Sequence, residues 1–505
     1  MRLRRASLFV STALTLPLVS EHALGYEAEV AATTDAQFYT LRSPWGEPVV
    51  RRRRYTQSLA LHVYDLQGDF VPFGPQLTFK ARLRLDADFA KEDYERDPNQ
   101  PGTFVPGLEQ APVDVMYAYL EGRNYLGGWV GFRAGRQYVT DSLGWWSFDG
   151  GLVRLTTPAY FQVEVYAGFE QRGGLPVMLG TERYSGDGVY RGNRDELDLN
   201  QNPYFLRESQ LAPAYGVAVE SSGVHWAHGR LSYRKVINRD RVVVSPFADT
   251  GQGFRRVGGD RVSSERVGYS LRVSDPGLGA VRGSIVYDLY SQVTSERALA
   301  LDWYTTPEFT LGADYDYYYP TFDGDSIWNW FTHSGMTTLL GRTEWRPSRR
   351  FDVALSGGAK MFETEGDSSS YGTVEQTGAD PDRSETGRLT DALANVAGRY
   401  RWSDGSVGLR GMTETGRRGH RLGGDVTGTQ DFEHGLYDTL AIVSLYDWED
   451  DLRPSRSATS FSYVLGGGVR PFDETRFGVE WEHSVNRLVG QRYRVLATLD
   501  LSVLK

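Results

Sequence analysis

The sequence predicts an all-β fold: a single closed antiparallel transmembrane β-barrel of about 20 strands (range 18 to 22), with short periplasmic turns and long extracellular loops. Three observations predict it. Apolar and polar residues alternate with period two over most of the chain, the alternating runs reach ten to fourteen residues, and Tyr and Trp gather near their ends.

The alternation is plain in Gln76 to Phe89. One parity reads Leu77, Phe79, Ala81, Leu83, Leu85, Ala87 and Phe89, while the other carries Lys80, Arg82, Arg84, Asp86 and Asp88. The C-terminal run repeats it, with Tyr493, Val495, Ala497, Leu499, Leu501 and Val503 opposing Arg494, Thr498, Asp500 and Ser502. A soluble sandwich also alternates core and solvent, so length discriminates. Sandwich strands average five or six residues, whereas a tilted strand of ~9 to 11 residues crosses the ~25 Å apolar band of a membrane.

Twenty candidate strands follow from Tyr55 onward, at 55–65, 76–89, 112–121, 128–138, 150–156, 160–169, 214–221, 224–235, 264–273, 279–290, 293–303, 308–319, 337–346, 350–361, 386–401, 405–415, 436–447, 459–470, 475–484 and 491–503. A further candidate lies at 27–40. Short connections such as Asp275-Pro276-Gly277 and Ser403-Asp404-Gly405 alternate with long polar ones at 90–111, 170–213, 236–263, 320–336 and 362–385. The alternation breaks once, between Gly416 and Ala458, where two successive long connections mean one strand too few or too many. Candidates for the aromatic girdles are Trp129, Tyr138, Tyr315, Tyr317, Tyr319, Trp345 and Trp448, because amphipathic rings suit the two water interfaces.

Composition closes other classes. The 505 residues contain no Cys, so disulfide frameworks, thiolate nucleophiles and Cys-ligated metals are excluded. With 65 aromatics and 40% apolar residues at a mean hydropathy of -0.43, the chain is too apolar for disorder. Arg2, Arg4 and Arg5, the apolar stretch Ala6 to Val19 and the small-residue site Ala23-Leu24-Gly25 predict a signal peptide over 1–25, leaving 26–505 as one barrel domain. Its removal takes three Arg and one Glu from a chain of net charge -10, giving -12, and an acidic chain is a poor partner for nucleic acid. After Val19 no run of 18 apolar residues occurs, which excludes an inner-membrane helical transporter.

The segment Phe132-Arg133-Ala134-Gly135-Arg136-Gln137-Tyr138, followed by Phe148-Asp149-Gly150-Gly151, resembles a strand-and-loop pattern of Gram-negative outer-membrane porins of the alginate-export-like and substrate-selective types. The match covers about twenty residues. It implies passage of hydrophilic solutes or polymer through a water-filled barrel in the outer membrane. Such barrels usually end on an aromatic residue read by the barrel-assembly machinery; this chain ends Leu504-Lys505.

Selection chemistry belongs to charges on the lumen parity: Lys80, Arg82, Arg84, Asp86, Asp88, Glu164, Arg266, Arg272, Arg282, Asp288, Glu480 and Glu482. The simpler reading is that they pair across strands and keep the lumen polar. Long loops near 139–149 or within 170–213 could fold inward to constrict the pore. The latter holds Asp187, Asp195, Glu196 and Asp198, without the spacing of a calcium loop. Arg51 to Arg54 form the densest positive run, suited to lipopolysaccharide phosphates or to a solvated loop. Catalysis lacks a constellation: His483 and Ser484 are adjacent and so face opposite ways on a strand, His225 and His228 also differ in parity, and neither a Gly-x-Ser-x-Gly elbow nor a Gly-Lys dipeptide occurs. No cofactor or metal is expected.

These readings converge on a passive porin-like channel. A second reading is the outer-membrane part of a polysaccharide-export or other envelope-spanning machine, closed until a periplasmic partner engages it.

Overall fold

The computed structural model describes residues 26–68, 71–88, 113–171, 212–238, 260–321, 335–364, 387–416, 419–450, 457–487 and 490–504. The segment 1–25 and the acidic cluster 187–198 lie outside the described residues.

Among the described residues, 22 strands form one sheet. The first half comprises β1 Glu27–Arg42, β2 Pro48–Tyr64, β3 Gln76–Asp88, β4 Val113–Asn124, β5 Val130–Asp141, β6 Gly144–Thr156, β7 Phe161–Glu170, β8 Pro213–Ser221, β9 Ala227–Asn238, β10 Arg261–Asp275 and β11 Gly279–Asp288. The second comprises β12 Val293–Thr306, β13 Phe309–Tyr318, β14 Met336–Ser348, β15 Phe351–Thr364, β16 Gly387–Arg401, β17 Gly405–Gly416, β18 Gly419–Phe432, β19 Tyr437–Asp450, β20 Ser457–Phe472, β21 Thr475–Asn486 and β22 Gly490–Leu504. Each strand pairs antiparallel with the next, and β22 closes on β1 from Glu29 opposite Leu504 to Arg42 opposite Gln491. Closure leaves no edge strand, so backbone N–H and C=O groups of the continuous wall are satisfied without water, as a span through hydrocarbon demands; the exception is above Ala118, where β4 and β5 part.

The count exceeds the central expectation of 20 by two and stays within the expected range. One addition is the 27–40 candidate, now β1. The other is β18, which resolves the break between Gly416 and Ala458 as a missed strand. Its sequence GHRLGGDVTGTQDF presents only Leu422, Val426 and Phe432 as large exposed apolar groups, and glycines between them dilute the alternation.

Cross-strand partners share a face, and the register separates two surfaces. Leu59 lies opposite Leu83, Leu301 opposite Ala313, and Leu465 opposite Trp481 and Ala441, all on an outer belt rich in exposed Leu, Val and aromatics. Two aromatic rims bound this belt. At the end holding both termini stand Trp303, Trp345, Tyr400, Tyr437 and Phe477; at the other stand Tyr215, Tyr287, Tyr315, Tyr317, Tyr463 and Tyr493. From Phe309 to Tyr317 on β13 the eight-residue separation is about 27 Å of strand, or roughly 20 Å of height at a tilt near 40°. That spacing and amphipathic ring placement fit a bilayer's hydrocarbon band and its interfaces. Connections at the terminus end include the short 276–278, 307–308, 349–350 and 402–404 as well as 65–75, whereas the strand pairs β3–β4, β7–β8, β9–β10 and β15–β16, separated by more than twenty residues each, are joined at the other, the loop end.

One element leaves the wall. β4 pairs with β5 only over Ala118–Gly122 with Phe132–Arg136, while β5 stays paired with β6 to the tip, Asp141 opposite Gly144. The parting point is Gly135, at φ +124°, where a Cβ would lie 2.3 Å from the Ala118 carbonyl oxygen. Glycine alone tolerates both the conformation and the approach. Unzipped from β4, the upper β5–β6 hairpin turns into the barrel.

Candidate functional site

The inward hairpin forms a constriction. One of its faces presents Val139, Trp146 and Phe148, which pack with Leu152, Tyr166, Ala214 and Val236 from the inner wall of β6 to β9. Trp146 and Phe148 stack with centroids 4.6 Å apart, and the Arg234 guanidinium caps Trp146 at 5.1 Å. This is a small hydrophobic core inside the lumen, and it holds the hairpin against one side of the pore.

The tip docks farther round the wall. Arg234 on β9 donates from Nη2 to the Leu143 carbonyl at 3.0 Å, and the Leu143 side chain is buried. On β10, Gly268 makes the seat: a Cβ there would lie 2.5 Å from Ser142 Oγ and 2.7 Å from Leu143 Cδ2. Asp141 at the tip lies 3.8 Å from Arg230. Of the two loop regions expected to fold inward, 139–149 does so; residues 172–211 lie outside the described residues.

Charge lines the remaining lumen as cross-strand networks. Glu121 on β4 holds Arg123 and Arg133 at 2.9 Å and Lys80 at 3.7 Å; Arg84 reaches Asp114 at 3.1 Å, and Arg82 donates to Ser58 at 3.1 Å. Arg136 grips Asp149 through two hydrogen bonds of 2.6 and 2.9 Å. Glu164 on β7 bridges Arg154 (2.8 Å) and Arg230 (2.7 Å), and Arg230 also reaches Glu220 at 2.6 Å. Across the pore, Asp302 binds Arg282 at 3.1 Å and also Arg342, which meets Asp314 at 2.7 Å. Arg410 with Asp425 and the bidentate Arg476–Asp438 pair continue the pattern. Planar guanidinium forks facing carboxylates across strands suit this spacing.

Of the twelve charges expected in the lumen, ten have described side chains, and all ten take the inner face. Lys80, Arg82 and Arg84 gather with Glu121 and Asp114. Glu164 is at the base of the hairpin network. Arg266 meets the buried Asp288 at 3.2 Å, and Glu482 meets Arg494 at 2.8 Å and Arg492. Arg272, beside Arg282 in register, and Glu480 join no ion pair among the described residues. The side chains of Asp86 and Asp88 lie outside the described residues. Cross-strand pairing therefore dominates over a ladder of single charges.

The girdle candidates divide. Tyr315 and Tyr317 face outward at the loop end, Tyr317 beneath the Arg297 guanidinium at 5.3 Å, and Tyr319 directly follows β13. Trp345 faces outward at the terminus end against Phe351, and Trp129 is exposed there. Tyr138 and Trp448 lie elsewhere. Tyr138 shares the outward parity of β5, but the hairpin has turned inward, carrying it into the lumen against Tyr117. Trp448 has the parity of Tyr446, whose hydroxyl donates to lumenal Asp425, so it also faces in.

The remaining motifs also take definite places. His483 faces outward, stacked on Tyr493 at 4.5 Å, while Ser484 faces inward and donates to Glu482 at 3.2 Å. They form no nucleophile–base pair. His228 meets Glu220 at 2.8 Å. Arg51 and Arg53 take the outer parity at the loop end, and Arg52 and Arg54 the inner. Among the described residues no group of three metal-ligating side chains converges. The hairpin's seat was missed in the sequence because Gly268 and Arg234 lie about 90 or more residues from Leu143, beyond the reach of local patterning.

No protein-family profile matches the sequence, and no curated protein matches it significantly. Among solved structures it is similar to OccAB4 of Acinetobacter baumannii, at 8% identity and a TM-score of 0.42, covering 95% of this chain and 98% of that one. It is similar to OccK7 (OpdD) of Pseudomonas aeruginosa at 9% identity and a TM-score of 0.40, and to OpdK of the same organism, solved with vanillate, at 8% and 0.40; each comparison covers 95% of this chain and 99% of the other.

Proposed function

We propose that this protein is a porin-like channel of a Gram-negative outer membrane, passing hydrophilic solutes passively through a polar, charge-lined lumen. The observation that carries this reading is the pairing of a closed barrel, apolar outside between two aromatic rims, with an interior lined by Arg–carboxylate networks and narrowed by an inward hairpin. An apolar exterior belongs in hydrocarbon, and charge at this density inside requires water to solvate what the ion pairs leave unmet.

The hairpin reduces the bore, and rings of fixed charge bias which ions cross it. Refolding residues 26–505 in detergent and recording single channels in a planar bilayer under a salt gradient tests the reading. Stepwise conductance is expected. A correctly folded barrel that never conducts would overturn it and favour a barrel that opens only with a periplasmic export partner.

A further inference from the structure

A row of aromatic rings runs from the inner wall onto the constriction. It starts near the terminus end with Tyr64 and His62 on β2, whose rings lie 6.3 Å apart. It continues from His62 to Tyr117 on β4 at 6.3 Å, from Tyr117 to Tyr138 on β5 at 6.2 Å, and from Tyr138 to Trp145 at the hairpin tip at 6.4 Å. All share the inner surface: His62 lies opposite Lys80, Tyr117 opposite Arg82, and Tyr138 and Trp145 lie on the hairpin face turned away from its buried core. The far rings are open to the lumen, Tyr138 at 39% and Trp145 at 65% exposure. Thus the wall and the constriction are joined by a line of evenly spaced rings.

We infer that this line is a binding track for a linear oligosaccharide, a deeper reading that rests on the channel function above. A solute with a single flat ring would fill one step; four steps of near-equal length match a chain of linked rings. The face of an aromatic ring is electron-rich and its body apolar, so it receives the weakly positive C–H face of a sugar ring while releasing water from both. Hydroxyls at the sugar's rim need donors and acceptors together. Both flank the track: Arg82 donates beside Tyr117, and Glu29 accepts from the Tyr64 hydroxyl at 3.0 Å and contacts His62 Nδ1 at 3.3 Å. A purely cationic lining would favour small anions; this mixed one suits a neutral, hydroxyl-rich chain.

The probe is maltohexaose, added to single channels in a planar bilayer and, separately, titrated calorimetrically into the full-length barrel in detergent. Concentration-dependent blockades of the current are expected, with maltohexaose binding more tightly than glucose. Trp145→Ala should weaken binding about fivefold or more, Trp145→Phe should recover most of it, and Trp303→Ala on the outer rim should leave it unchanged. Channels that conduct but show neither blockade nor heat with maltohexaose overturn the track and leave the channel intact. Blockade by benzoate with none by maltohexaose overturns it in favour of single flat acids. If the barrel stays silent, the channel reading falls, and the calorimetry alone decides: heat lost in Trp145→Ala upholds the track, and no heat with the unaltered protein overturns it.

Discussion

The seat of the hairpin tip makes a quantitative prediction. Burying Leu143 contributes about 2 kcal/mol, and the charged donor of Arg234 on the Leu143 carbonyl adds about 1.5 to 3 kcal/mol. Ordering the two tip residues opposes these by about 1 to 2 kcal/mol each. A net near 1.3 kcal/mol keeps roughly 90% of barrels docked, since a factor of ten takes about 1.4 kcal/mol. Gly268→Val places a Cβ 2.5 Å from Ser142 Oγ and adds two methyls beyond it. Overpacking of that kind costs about 1 to 3 kcal/mol, and the middle of that range exceeds the docking advantage and brings the docked share below half. Single-channel recording should then show a larger and noisier conductance than the unaltered protein. The converse variant joins the same two positions. Ser142→Cys with Gly268→Cys sets the Cβ atoms about 3.3 Å apart, near the ~3.8 Å mean of a disulfide, in a chain with no other Cys. Oxidation should fix a single quiet conductance, released by reductant. A Gly268→Val channel with unaltered conductance and noise would refute this account of the constriction.

Further outcomes follow from the two surfaces and the networks. Replacing Lys80, Arg82 and Arg84 with Glu reverses three lumenal charges and should move the reversal potential in a salt gradient toward cation preference; an unmoved potential sinks their role in selection. Glu164→Ala strips a buried partner from Arg154 and Arg230 and should destabilise the barrel by about 3 kcal/mol, the lower part of the usual range because Glu220 still holds Arg230. Thermal unfolding in detergent reads this, and an unchanged midpoint contradicts the network. Leu301→Arg on the outer belt should cost about 2 to 4 kcal/mol of stability in lipid, while Ala300→Arg, one residue away on the inner face, should cost under about 1 kcal/mol. Equal costs would mean that the faces are misassigned.

The barrel's two faces were legible because a strand's period is two and the strands of its wall share one geometry. Parity alone set Lys80, Arg266 and Glu482 on the strand faces opposite the apolar ones, and the register pairs them there with His62, Asp288 and Val464. Where parity was weak or set aside, the reading failed. β18 disappeared because glycines leave little contrast between its faces. Trp448 was read from its place near a strand end, although its even number set it with Tyr446 on the inner side.

The sequence by itself determined the alternation, the strand lengths and hence a closed sheet with an apolar outside, since these depend on neighbours one and two residues away. Tertiary structure decided what lies in the pore. Tyr138 keeps the outward parity of its strand yet faces the lumen, because β5 parts from β4 at Gly135 and carries both its faces inside. The seat at Gly268 and Arg234, the core beneath the hairpin and the ring row from His62 to Trp145 all join residues far apart in the chain. Local periodicity sets which way a side chain points from its strand, but contacts between distant strands set where that strand goes.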